Sequence, residues 1–357
     1  MSEAAAPPAA DRWKAWDRFL EATPDAGFMQ SSWWADFRAT TGYNHFGAIL
    51  KDRHGIVGGA LVMKFLHAPQ NCFYYIPEGP VLPCDEAIAG HVFGAVLEEV
   101  ERRRGTEGQT ISHLRIEPRW QRLPSFVSGF RTPTVADNFM EPRNTLCIDL
   151  RASEESILAQ MKPKGRYNIR VGLRHGISVV EDMSDQGLTD FQSIYEDMAA
   201  RQGIGAKPPD YFQTLVSMLS TLRQGSLFFA EHRGVRLAAA IVVYFGRRAT
   251  YFFGGSLVTD RHVMAPYVLH FEIMRRAKAL GHEWYDLWGV APESEPDHPW
   301  QNISVFKRKF GGVEVGLVPT LDYVYDPAAY AEYVAAGSVP GDTAPVEESL
   351  DEGPNLS

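Results

Sequence analysis

The sequence predicts an α/β (α+β) protein made of two copies of one unit, and three observations carry that prediction. The segment IVGGALVMKF, beginning at Ile56, recurs as RLAAAIVVYF, beginning at Arg236, with an offset of 180 residues from Gly58 to Ala238. FYYIPEGPVL, from Phe73 to Leu82, recurs as TYFFGGSLV, from Thr250 to Val258, which sets Tyr74 against Tyr251 at an offset of 177. An amphipathic segment follows each, from about Glu86 to Arg104 and from about Ala265 to Leu280, and leads to a short apolar run, HLRIEP or WYDLWG. Self-similarity at a fixed spacing marks one supersecondary module used twice, and 357 residues suffice for two domains.

In each copy two apolar runs flank a polar turn and read as a β-hairpin. FGAILKDRHG places the first turn near Gly55 and LFFAEHRGV places the second near Gly234. The next run is a third strand, the amphipathic segment a helix and the last run a further strand. Hairpin, strand, helix, strand is the order of the central part of the GNAT acyltransferase fold, so two tandem GNAT-like domains are expected, at 1–148 and 149–335. The boundary falls in RNTLCIDLRASEESI, where a strand leads to an N-cap at Ser153 with Glu154 and Glu155 in the first helical turn. From Ile177 to Gly225 there is room for two helix-sized segments and no long coiled-coil arm. The tail at 336–357 is rich in Pro, Gly, Ser and acid and is expected to be disordered.

A net charge of -9 argues against a general nucleic-acid binder, DNA included, so any polyanion must meet a local patch. Cys72, Cys84 and Cys147 lack CxxC spacing, which disfavours a disulfide framework and a zinc site and suggests a reducing compartment. His113 and His298 have no partners at metal-ligand spacing, so no metal is expected. No basic-then-apolar leader opens the chain, and no segment reaches the roughly 18 apolar residues of a membrane span. The expectation is a cytoplasmic protein whose membrane contact, if any, is peripheral.

The patch is MKPKGRYNIRVGLRHGISVV, from Met161. Arg166, Arg170 and Arg174 recur every four residues, on one face of a helix from about Gly165 to His175, with Lys164 at its entrance and Gly176 as its stop. Such a stripe repels itself unless an anion lies against it; otherwise it is a solvated face. WQNISVFKRKFGG reads as a strand, with Lys307 and Lys309 on the face opposite Phe306 and Phe310, and with Gly311 and Gly312 permitting a tight turn or close approach. An edge strand protected by its lysines gives the same pattern.

Taken together, KxxxRYNIRxGxRHGI, YYIPEGPVL, the R-x-G element at Arg201, YFFGGS and YDLWGV…NISVFKRKFGG resemble the FemABX aminoacyltransferases of peptidoglycan bridge formation, over roughly residues 25–325. The resemblance implies an aminoacyl-tRNA donor, no cofactor, and an acceptor amine on the stem peptide of UDP-MurNAc-pentapeptide or lipid II. By the same resemblance Arg38, ending FMQSSWWADFR, and Arg201 are the cations for the acceptor diphosphate. Tyr251 and Tyr75 are acceptor-binding aromatics, and Phe306 and Lys307 form the catalytic pair at the transfer site. Lys164, Arg166, Arg170 and Arg174 would meet tRNA phosphates. Glu78 departs from the family's P-R-G-P-V pattern and reverses a charge expected beside the acceptor groove. Glu117 and Asp286 occupy near-equivalent places in the two copies. The rival readings are a GNAT-type N-acyltransferase using acyl-CoA in surface polysaccharide synthesis, and a noncatalytic binding protein. Neither PEGPVLP nor GGSLVTDR matches a Gly-rich pyrophosphate loop at a helix start, which disfavours CoA.

Overall fold

The chain divides into two compact units in the computed structural model, which describes residues 9–68, 70–133, 141–203 and 205–336. The tail expected to be disordered lies outside the described residues from 337 onward.

The first unit spans Met1–Arg143 and Leu317–Thr343. Helices α1 (Ala9–Ala22) and α2 (Ser32–Thr40) precede strands β1 (Asn44–Asp52), β2 (Gly55–Ala68) and β3 (Asn71–Pro77), helix α3 (Glu86–Arg104) and strand β4 (Thr110–Glu117). β1 and β2 form the expected hairpin at Gly55, β3 runs antiparallel to β2, and β4, reached through α3, runs parallel to β3. Asp85 caps α3 by accepting the Ile88 N–H, and Val92, Phe93, Val96 and Val100 bury its apolar stripe.

The second unit, Asn144–Gly316, begins with β5 (Asn144–Asp149), α4 (Glu154–Gln160), α5 (Pro163–Arg174), β6 (Ser178–Glu181), α6 (Asp185–Gln202) and α7 (Pro209–Leu222). There follow β7 (Gly225–His232), β8 (Val235–Phe245), β9 (Arg248–Ser256), α8 (Ala265–Ala279), β10 (Trp284–Gly289), α9 (Gln301–Lys307) and β11 (Val313–Gly316). Ser153 caps α4 as expected, its hydroxyl accepting the Ser156 N–H at 3.2 Å. β12 (Leu321–Val324) and α10 (Pro327–Ala335) then complete the first unit. The sheet orders are β1-β2-β3-β4-β12 and β11-β5-β10-β9-β8-β7-β6.

Two expectations are corrected here. The division at 148/149 misassigns both β5 and β12. β5, all but its last residue placed before that division, pairs antiparallel with β10, whereas β12 and α10, placed in the second half, belong with the first, β12 pairing antiparallel with β4. Strands of four and six residues carry too little pattern to say which sheet they join. FKRKFGG is no strand: α9 ends at Lys307 and a 3₁₀ turn covers Arg308–Phe310. Phe306 and Phe310 are therefore four residues apart on a helical path, and they bury together with the lysines between them rather than opposite them.

The registers sharpen the repeat. Ala48 faces Ala60 and Phe228 faces Ala240, so both strands of the hairpin keep the 180 offset, and both hairpins shift register at the same place, after Leu50 and after Ala230. In the third strand Met63 pairs with Tyr75, while Val243 pairs with Thr250. Thr250 is thus the counterpart of Tyr75, and Tyr251 answers to Ile76 rather than to Tyr74. Tyr75 in turn pairs with Arg115, and Thr250 with Asp286. The counterpart of Asp286 is Arg115, two residues from the expected Glu117.

Candidate active site

In the second unit β8, β9, α6, α8 and α9 line an open pocket, with Ala239, Gly255, Tyr251, His270, Ile303 and Phe306 on its walls. The space exists because β8 and β9 present Ala238, Ala239 and Gly255 where larger side chains would fill it. Tyr251, 3% exposed, stands against His270 edge to face at 4.6 Å between ring centroids. Phe306 packs on Tyr267 and Phe310, and this aromatic cluster anchors the end of α9.

Lys307, next in sequence, is 3% exposed. Its ammonium donates to the Gly289 carbonyl at 2.9 Å and lies 5.8 Å from the centroid of the Tyr251 ring. Burial pulls its pKa from 10.5 down to about 7, with Asp286 drawing the other way. Asp286 is fully buried on β10 and accepts from Arg248 at 2.9 Å, from the Trp288 N–H at 2.8 Å and from the Thr145 hydroxyl.

Three residues fix α9 and the turn that follows it. Ser304 accepts the Ala291 N–H at 2.7 Å and donates to the Trp300 carbonyl at 2.6 Å. Arg308 forks onto Glu314 at 2.6 and 3.0 Å and donates to the Ala291 carbonyl at 2.6 Å. Gly312, at φ +88°, lies so close to β5 that a Cβ would sit 2.5 Å from the Cys147 carbonyl, which is the close approach its sequence pattern allowed.

Tyr251, Phe306 and Lys307 thus come together. Arg201 is close to them: it donates to the carbonyl of Ser256, a pocket residue, at 2.7 Å and forms an ion pair with Asp197 one turn back. Arg38 and Tyr75 belong to the first unit, gathered around Phe65. The Arg38 guanidinium lies 5.9 Å from the Phe65 ring and 4.3 Å from that of Tyr43, and Tyr75 meets Phe65 edge-on at 5.6 Å. The Tyr75 hydroxyl donates to Glu117 at 2.7 Å. Glu78, where a reversed groove charge was expected, is buried and internally compensated: it accepts from Arg119 at 2.7 Å and from the Met29 N–H at 3.0 Å.

Helix α5 forms over the expected segment. Lys164, Arg170 and Arg174 are exposed, whereas Asn168, Ile169 and Gly172 are buried. Arg166 departs from the stripe, donating to the carbonyls of Ala159 and Met161 at the end of α4. His270 was missed. It shares the buried face of α8 with Ile273, Met274 and Ala277, and a polar residue inside an otherwise apolar stripe is the signal that would have found it.

Residues 121–222 and 217–337 match the FemAB family, which is more than half of the chain. The chain belongs to the FemAB family. The UDP-N-acetylmuramoylpentapeptide-lysine N(6)-alanyltransferase of Weissella viridescens is 26% identical to it over 345 residues, covering 92% of this chain and 97% of that one. The lipid II:glycine glycyltransferase of Staphylococcus epidermidis is 19% identical over 391 residues, covering 88% and 92%. The crystal structure of FemX matches with a TM-score of 0.80 at 15% identity, over 93% of this chain and 99% of that one, a likeness of fold. Among the described residues of this FemAB protein no helix is long and apolar enough to cross a membrane.

Proposed function

We propose that this FemAB protein is an aminoacyltransferase of peptidoglycan bridge formation that takes its amino acid from aminoacyl-tRNA and places it on the stem-peptide amine of UDP-MurNAc-pentapeptide or lipid II. The observation that carries the reading is Lys307: a buried lysine with one carbonyl partner, beside a pocket lined by Tyr251 and Phe306. Its near relatives in sequence include an alanyltransferase and glycyltransferases named for peptidoglycan precursors.

An aminoacyl ester is already activated, so the protein has to place a neutral amine at its carbonyl carbon and stabilise the charge that develops. The amine lone pair forms the new C–N bond while the carbonyl electrons move onto oxygen. Collapse of that oxyanion breaks the C–O bond to the ribose, whose oxygen leaves with the electron pair and takes up the proton that the amine gives away, through substrate groups or water. Lys307, when protonated, supplies a fixed positive charge to the oxyanion in a site where burial keeps the interaction strong. Arg201, bonded to the carbonyl of the pocket residue Ser256, is assigned to the acceptor's diphosphate, and Lys164, Arg170 and Arg174 to tRNA phosphates.

The test is transfer of radiolabelled amino acids from a charged total tRNA pool to UDP-MurNAc-pentapeptide and to lipid II, beside the same assay with acetyl-CoA. Label passing from tRNA to either acceptor supports the reading and identifies the amino acid. Label from acetyl-CoA alone, or from neither donor, overturns it.

A further inference from the structure

His270 lines the pocket and is 2% exposed. Its Nδ1 is 2.8 Å from the hydroxyl oxygen of Tyr285, a side chain with no exposure at all, and no described group meets its Nε2. A hydroxyl sealed from water places its proton on the acceptor within reach. Among the described residues the hydroxyl of Tyr285 reaches no acceptor but His270, so the hydroxyl donates and Nδ1 accepts. That contact fixes the tautomer and leaves the ring's own proton on Nε2. We propose that the Nε2–H of His270 is a hydrogen-bond donor to the carbonyl oxygen of the acyl group undergoing transfer, acting with Lys307 as a two-donor site for the oxyanion. The two side chains flank Tyr251, His270 at 4.6 Å between ring centroids and Lys307 with its ammonium 5.8 Å from the ring.

The assignment also says what His270 does not do. Burial, reinforced by the Lys307 charge, pushes its pKa down to about 3, so the ring is neutral at physiological pH and is no reservoir for the amine's proton. A neutral N–H polarises a carbonyl without placing a second full charge beside Lys307. No proton moves through His270 in this step. It stabilises the oxygen that receives the carbonyl electrons, while the amine's proton still passes to the departing ribose oxygen.

The proposal rests on the acyl-transfer reading, and two measurements separate their failures. The first is the ¹⁵N spectrum of the histidine-labelled full chain, with His270 assigned by its absence in His270→Phe or, should that variant not fold, by its shift in Tyr285→Phe. The expected result is a protonated Nε2 and an unprotonated Nδ1; a protonated Nδ1 overturns the proposal whatever the enzyme transfers. The second is steady-state transfer from charged tRNA. His270→Phe keeps the shape and removes the donor, and should lower kcat about 10²-fold with the acceptor KM within about twofold, as for loss of one oxyanion donor. His270→Gln, whose amide N–H falls near the Nε2 position, should recover at least about tenfold of that loss. A kcat within twofold of wild type in His270→Phe overturns the proposal while leaving the acyl-transfer reading intact. If His270→Phe does not fold, Tyr285→Phe decides: releasing the tautomer should lower kcat about 3–10-fold, and an unchanged kcat with an altered ring spectrum overturns the proposal. A wild-type chain that transfers nothing overturns both readings together.

Discussion

Arg115 in the first unit and Asp286 in the second occupy one register position of the repeated sheet, and they handle buried charge in opposite ways. Arg115 is wholly enclosed, yet both oxygens of Asp322, from the neighbouring β12, take its fork at 2.8 and 2.7 Å, and its third nitrogen donates to the Tyr333 hydroxyl at 2.9 Å. Burial works against that guanidinium, and Asp322 outweighs it, so the charge is held more firmly than in water. In the second unit the carboxylate is on β10, and Thr145, Arg248 and the Trp288 N–H already engage it. Lys307, the cation that feels it, has one carbonyl as its hydrogen-bond acceptor and loses much of its proton affinity. One copy of the module uses its internal charge as a clasp. The other leaves a cation under-compensated next to a pocket, the kind of setting in which functional groups carry shifted pKa values.

The largest break in this comparison comes from removing the clasp. Asp322→Ala removes the carboxylate that takes the fork of buried Arg115 and should cost about 3–5 kcal/mol of the first unit's stability, read from urea unfolding. A loss under about 1 kcal/mol would mean that Tyr333 and water compensate Arg115, and the contrast between the units would dissolve.

Lys307→Met should have the opposite sign. Replacing an under-compensated buried cation by an apolar side chain of similar length should stabilise the second unit by about 1–3 kcal/mol at pH 6, while transfer falls about 10²–10³-fold through loss of oxyanion stabilisation. A variant that is both less stable and active would return Lys307 to the role of a structural clasp like Arg115.

The pH dependence sharpens the same point. Below about 7 Lys307 is protonated in folded and unfolded chains alike, so the burial penalty is fully expressed; above it the folded chain sheds the proton while the unfolded chain holds it up to 10.5. Wild-type stability therefore gains from this group as pH rises from 7, and the advantage of Lys307→Met should shrink by about 2–3 kcal/mol between pH 6 and 9. Activity should move the other way. Corrected for the fraction of acceptor amine that is neutral, kcat/KM should fall as pH rises through about 7, as the ammonium is lost; a rise would make Lys307 the base that takes the amine's proton.

Most of the fold was legible because hairpins, α3 and α8 announce themselves by period and by turn residues, and because the repeat supplies each signal twice. What escaped was pairing at a distance. Nothing local in LDYV says that it closes the sheet of residues far upstream, and without β12 the pairing of Arg115 with Asp322 is invisible. Phe306 and Lys307 were singled out by a resemblance, but alternation of apolar and charged residues over seven positions fits a strand as well as a helical turn followed by a 3₁₀ turn, so their burial together was not foreseen. His270 escaped because its meaning lies in Tyr285, fifteen residues away on a strand. Glu78 was misjudged for a similar reason, since Arg119 and the Met29 amide absorb a charge that in sequence looks free.

The smallest expected effect concerns arginines rather than lysines, and it separates residues that the sequence had treated as one stripe. In the first unit Arg38 is 5% exposed among aromatic rings, whereas on α5 of the second unit Arg170 and Arg174 face outward. Arg166, which comes first in the stripe, is tied to the end of α4. Removing a cation that neutralises one phosphate should lower the slope of log affinity against log salt by about 0.7–0.9. Arg170→Ala and Arg174→Ala should each do so for tRNA binding, whereas Arg166→Ala should leave the slope nearly unchanged and cost about 1 kcal/mol of stability by freeing two carbonyls. If all three variants change the slope equally, the hydrogen bonds of Arg166 open when tRNA binds. If none does, α5 is a solvated basic face and the donor's phosphates lie elsewhere on the protein.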